Sequence, residues 1–190
     1  MTKNYLSFIL IFSLLLLVSL ACQVNLGGPK LPGTSVPFST SPAQTLQVKF
    51  GNTFSTPLAP GKSTSLVISE QELTSIINST LAQNPDVPIK NVQIRFHDQK
   101  MELYGVVQSD LAVANANLVL LPYIDAAGNI QFSILSANLG PLPVFSFILK
   151  WISTIINNAL NESFTINSNA IKFEKITITE GQMSITMTVK

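Results

Sequence analysis

Charge is what this chain has least of. Only 11% of its 190 residues are Asp, Glu, Lys or Arg, against about 25% in ordinary soluble domains. Eleven basic and ten acidic residues leave a formal net charge of +1. Arginine occurs once, as Arg95. Phosphate neutralisation needs a basic surface, so nucleic acid is excluded as a partner. Cysteine also occurs once, as Cys22, which excludes a disulfide scaffold within the chain. The single histidine, His97, stands beside Asp98 in a predicted turn. Such a pair reads as solvated rather than as part of a nucleophilic triad. No run of His, Cys or carboxylates has metal-ligand spacing, and no glycine-rich phosphate loop follows a strand. Neither enzyme activity nor a cofactor is therefore expected. Disorder throughout is excluded as well, because 46% of the residues are hydrophobic.

What is present begins with an address. Lys3 precedes an apolar run from Tyr5 to Ala21, broken only by Ser7, Ser13 and Ser19. A basic start, an apolar stretch and a small residue before a cut site make a secretory signal. Ser19-Leu20-Ala21-Cys22 resembles a bacterial lipobox, with Ser19 where leucine is preferred and Leu20 one place late. Residues 1–22 are thus expected to be a lipoprotein signal peptide, with Cys22 lipidated by diacylglycerol. The alternatives are an uncleaved spanning anchor, for which the run is slightly short, and an unmodified signal. The lipidated form would sit on the extracytoplasmic face of the cell membrane.

Residues 23–61 hold six of the eleven prolines (Pro29, Pro32, Pro37, Pro42, Pro57, Pro60) with Gly27, Gly28 and Gly33. That composition suits a Pro/Gly/Ser-rich tether, with an edge strand possible over Thr45–Phe50. Residues 62–190 form the expected domain. A strand over Ser63–Ile68 leads into Ser69-Glu70-Gln71-Glu72, the pattern of a capping box. Leu73, Ile76, Ile77 and Leu81 follow at helical spacing, up to Asn84 before Pro85 and Pro88. The macrodipole accounts for Glu70 and Glu72. Val92, Ile94 and Phe96 alternate with polar residues, as do Met101, Leu103, Gly105 and Val107, giving a hairpin around His97–Lys100. Leu111–Leu121 puts Ala112, Ala114 and Ala116 on one face, and Val113, Asn115 and Asn117 on the other. Asp125–Asn129 turns the chain into Ile130, Phe132 and Ile134, completing a four-stranded meander. The last two strands carry a bulge near Lys175 and a turn at Glu180-Gly181. Asn78-Ser79-Thr80 and Asn161-Glu162-Ser163 match a glycosylation acceptor, which in a bacterial lipoprotein is chance.

The segment from about Val144 to Asn161 reads as a long helix entered through Pro143. Its polar residues form one narrow stripe, and its apolar ones spread beyond the band of a little over 100° that a soluble surface helix buries. Such a helix would be covered on two sides or face a ligand.

Four stretches carry a family resemblance. They are Ile68-Ser69-Glu70-Gln71-Glu72-Leu73, the hairpin Val92–Phe96 to Met101–Gly105, Ser136-Ala137-Asn138-Leu139-Gly140-Pro141-Leu142-Pro143, and the closing hairpin Ile176–Ile185. Over Ile68–Lys190 the chain resembles the YpmS-like and LmeA-like envelope lipid-binding families, which are similar to the tubular lipid-binding (TULIP-like) group. The resemblance implies an α+β fold: a curved antiparallel meander sheet wrapped around a long apolar helix, with a second shorter helix. It also implies a phospholipid or other acyl lipid as partner, its chains lying in an apolar groove. The groove candidates are Leu73, Ile77, Val92, Ile94, Phe96, Leu103, Phe132, Phe145, Leu149, Trp151 and Ile152, with Asn115 and Asn117 as a polar end. The rival reading is an envelope interaction protein with a solid interdigitated core and an apolar docking surface.

Overall fold

In the computed structural model of the chain, the residues described are 24–37, 44–45, 48–49, 60–108, 112–126, 128–141, 154 and 171–189. They form β1 (Val24–Asn25), β2 (Ser63–Ser69), α1 (Glu70–Ala82), β3 (Ile89–His97), β4 (Lys100–Gln108), β5 (Ala112–Ile124), β6 (Ile130–Asn138), β7 (Ile171–Thr179) and β8 (Gln182–Val189). The predicted meander is there: β3, β4, β5 and β6 pair in succession, antiparallel throughout. β1 joins β5 in parallel, with Val24 opposite Ala112 and Asn25 opposite Val113. A second sheet runs β2-β8-β7. The β7–β8 turn is tied to the end of β3, because the Gly181 N–H donates to the Phe96 carbonyl at 3.1 Å.

Local chemistry explains the boundaries. The Ser69 hydroxyl accepts the Glu72 N–H at 3.2 Å, and the Glu72 carboxylate accepts the Ser69 N–H at 2.9 Å, the two halves of the capping box. Burial alone would push the Glu72 carboxyl up. Lys49 Nζ at 2.6 Å and the Ser69 donors outweigh that and hold it below the usual carboxylate range. Asp98 and Gln99 both take positive φ, +47° and +61°, so that His97 pairs with Lys100 across a two-residue turn. The β7–β8 register shifts between Phe173 and Lys175, leaving Glu174 as the extra residue.

One side of α1 packs Leu73, Ile76, Ile77 and Leu81 onto the concave face of the meander. Leu66 and Ile68 of β2 and Met183, Ile185 and Met187 of β8 close the core from the other side. Three polar residues of the same helix do something else. Glu70 Oε1 accepts the Phe96 N–H at 2.7 Å, Thr74 Oγ1 the Ile94 N–H at 3.0 Å, and Asn78 Oδ1 the Val92 N–H at 3.1 Å. Asn78 Nδ2 also donates to the Val92 and Thr74 carbonyls. β3 is an edge strand, and every second N–H along it points away from β4. Four helical residues rise about 6 Å and two strand residues about 6.6 Å, so side chains four apart meet amides two apart. The helix thereby closes an edge that would otherwise be open to foreign strands.

The expected architecture is corrected in one respect. Strands take 57% of the described residues, the sheet is curled into a half barrel, and a single short helix of about 13 residues is delineated. No long apolar helix occupies the concavity among the described residues. Of the segment predicted to form it, 144–161, only Thr154 is described, and it is helical; the signal sequence expected over 1–22 lies outside the described residues. The edge strand expected at Thr45–Phe50 is also corrected, since Thr45, Val48 and Lys49 are helical. Part of the expected tether is bound to the domain. Residues 24–37 cross the convex face of the meander from β5 to β3, and Val36 is buried.

Candidate functional site

The convex face is the polar parity of the meander. Gln93, Arg95 and His97 of β3 lie beside Glu102 and Tyr104 of β4, with Arg95 directly opposite Glu102. An open cleft of about 560 Å³ lies here, lined by Lys30 and Pro32 of the strap, Glu70, Arg95, Phe96, His97, Glu102, Tyr104 and the Glu180-Gly181 turn.

Five of its ionisable groups, Glu70, Arg95, His97, Glu102 and Tyr104, pair among themselves. Arg95 Nη1 donates to Glu70 Oε2 at 2.9 Å, and Nη2 donates to the Thr34 carbonyl of the strap. Arg95 thus joins the helix start, the sheet and the strap. Glu102 accepts the Tyr104 hydroxyl, and its other oxygen lies 3.5 Å from His97 Nε2. The sequence paired His97 with Asp98; the structure turns it to Glu102, two strand positions across the hairpin. Burial first, then the Glu102 carboxylate, pushes the Tyr104 phenol up to about 12.

A raised phenol pKa means that the fold prefers the neutral form. Tyr104 therefore contributes stability that is fully present below its ordinary value of 10.0 and is lost as pH rises through about 12. In an ultraviolet titration of tyrosinate, one step should come late, and Tyr104→Phe should remove it. The same substitution should flatten the decline in stability over that window, read from denaturation midpoints at successive pH values.

The groove candidates fall into three groups. Leu73, Ile77, Val92, Ile94, Phe96 and Leu103 come together, but they fill the core between α1 and the meander, each 4% exposed or less. Phe132, on β6, is half-buried and packs against that core. Phe145, Leu149, Trp151 and Ile152 lie outside the described residues, as does Cys22.

No family model and no curated protein matches this chain.

The two asparagines considered as a polar end sit on the convex face, not in the core. Asn115 donates its side-chain amide to the Pro29 carbonyl at 3.2 Å, and its backbone N–H to the Gly27 carbonyl at 2.8 Å, so it serves the strap. Asn117 Nδ2 is buried and finds no hydrogen-bond partner among the described residues. Asn78 of the acceptor pattern has both ends of its amide engaged by backbone, which takes it out of reach of modification.

Sequence reasoning missed the Glu70–Arg95–Glu102–Tyr104 cluster. Half of it was legible: once the hairpin turns at Asp98-Gln99, Arg95 must face Glu102. Glu70 was not, because reading it as a helix-dipole residue already explained it. Among the described residues no helix is long and apolar enough to cross a membrane. No group of three or more His, Cys, Asp or Glu that could hold a metal occurs among them.

Proposed function

We propose that this chain is a membrane-tethered, extracytoplasmic binding protein that holds acyl chains of a membrane lipid against the β5–β6 half of its concave face. One observation carries the reading. Ile130, Phe132, Ile134 and Ala137 share the face of the core residues Leu118 and Leu120 across the β5–β6 ladder, yet stay only half-buried. α1 packs against β3 and β2 and leaves this flank of the half barrel to other cover. Phe173 and Ile176 of β7, a strand that also contacts β5, pack against the same core. Each buried CH₂ of an acyl chain contributes about 0.8 kcal/mol, so a lipid tail laid along it is a fitting occupant. The family resemblance points the same way. The site proposed here retains Phe132 of the original candidates and drops the six sealed in the core.

A second reading has its own observation. Those six sealed residues make a solid core, as an envelope interaction protein without a lipid cargo would have. One experiment separates the two. The chain from residue 23 onward is purified without detergent, weighed by native mass spectrometry and extracted with organic solvent. The lipid reading expects a mass increment of a phospholipid, and its loss in Phe132→Asp with the fold intact. A bare protein mass in the wild-type chain refutes the lipid reading and favours the interaction protein.

A further inference from the structure

The place where the amino terminus joins the fold bears on how the domain meets the membrane. β1 begins at Val24, two residues after Cys22, and is paired with β5 at once. The Leu26 N–H donates to the Val113 carbonyl at 2.8 Å, and the Asn115 N–H to the Gly27 carbonyl at 2.8 Å. Further along the strap, Gln93 takes the Val36 N–H at 3.0 Å and donates to Ser35 Oγ at 2.6 Å. Glycines let three backbones close on each other here. A Cβ at Gly28 would overlap the Asn115 carbonyl oxygen, and one at Gly140 would come within 2.9 Å of Gly28 Cα. The strap is therefore part of the fold.

We infer that the end of the five-stranded sheet where β1 meets β5 is a bilayer-contacting surface, against which the strap holds the domain in one orientation. This rests on the membrane attachment proposed above. It needs that attachment to be near residue 22, whether as a lipidated Cys22 or as the apolar run before it. Two residues span at most about 7 Å, whereas residues 23–61 as a free coil would give an r.m.s. reach of roughly 30–40 Å. The sheet end is thus flush with the headgroups. Its chemistry suits that position: Val24 is 57% exposed, and half-buried Val87, Val107, Ala112 and Val113 lie at the same end of the sheet. Gly140 packs on Gly28 beside it. A lipid surface is the partner this end fits. The Asp98-Gln99 turn, at the opposite end of β3, points away from it.

The test uses the full chain reconstituted in phosphatidylcholine–phosphatidylglycerol vesicles containing a nitroxide-headgroup lipid. Val24→Cys, Lys90→Cys and Gln99→Cys are each labelled with an environment-sensitive fluorophore, with the unsubstituted chain as blank. The inference expects most of the fluorescence at 24 and 90 to be lost to quenching, and none at 99. Ten Gly/Ser residues inserted between Gln23 and Val24, which leave β1 free to pair, should abolish the quenching at 90. Equal quenching at all three positions, or none, in a vesicle-bound protein overturns the fixed orientation and leaves the attachment standing. Recovery of the chain in the soluble fraction overturns both.

Discussion

Phe96→Ala is expected to lower the unfolding free energy by about 3–5 kcal/mol, the range for truncating a buried phenylalanine. Phe96 is 1% exposed and belongs to the cluster joining the meander to α1 and the second sheet. Its backbone is held at both polar groups, by Glu70 on the N–H and Gly181 on the carbonyl, so the strand has little freedom to collapse into the space left behind. This places the loss toward the upper part of the range. The measurement is a urea or thermal unfolding curve. It also distinguishes core from groove. A ring lining an open lipid groove would have its neighbour atoms on one side only, and its removal would lower lipid capture with under about 1–2 kcal/mol of stability lost. A small stability effect would return Phe96 to the binding surface.

Asn78→Leu carries the second large effect. The asparagine is nearly isosteric with leucine, so the substitution removes polarity and leaves volume. Three hydrogen bonds go with it, and the Val92 N–H and carbonyl lose their partner at an edge the helix covers. An orphaned buried backbone group costs about 1–3 kcal/mol. Two such groups, partly offset by the added apolar side chain, give an expected destabilisation of about 2–4 kcal/mol. Amide hydrogen exchange supplies the local readout: protection should fall at Val92 first, while the β4–β5 ladder keeps its protection until global unfolding. Asn78→Asp retains the acceptor for the Val92 N–H and loses the donor to its carbonyl, so it should fall between wild type and Asn78→Leu. Equal stability of Asn78→Leu and wild type would mean that the β3 edge does not depend on this bridge.

These two residues show why the sequence was legible for elements and not for their roles. Asn78 lies in a helix that the capping box and the spacing of Leu73, Ile77 and Leu81 predict correctly. In isolation its polarity marks the solvent face. Only the approach of β3, Asn91 at φ +53° and the register shift between Lys90 and Gln93 turn that polarity inward. Phe96 was correctly assigned to the apolar parity of a strand, and parity says which side chains share a face. It does not say whether another element seals that face. The groove candidates on β3 and β4 do face inward, as parity predicts, and the structure buries them in the core between the meander and α1. The strap misled for a related reason. Pro29, Pro32 and Gly33 prevent a helix or a central strand, and a segment without either reads as a spacer. Its partners Gln93, Arg95 and Asn115 lie 57 to 86 residues away and leave no mark on its composition.

The sequence by itself determined what depends on neighbours within a few positions: the capping box of α1, the hairpin turns, the bulge near Lys175, the alternating strands and the absence of metal-ligand spacing. Turn chemistry and side-chain period act over two to five residues, so they survive without a partner surface. The tertiary structure alone decided which apolar face is sealed and which stays half open, that Glu70, Thr74 and Asn78 close the β3 edge, and that residues 24–37 are bound to the sheet. Each of these is set by the distance between groups far apart in the chain, and that distance exists only once the sheet has curled and the helix has docked.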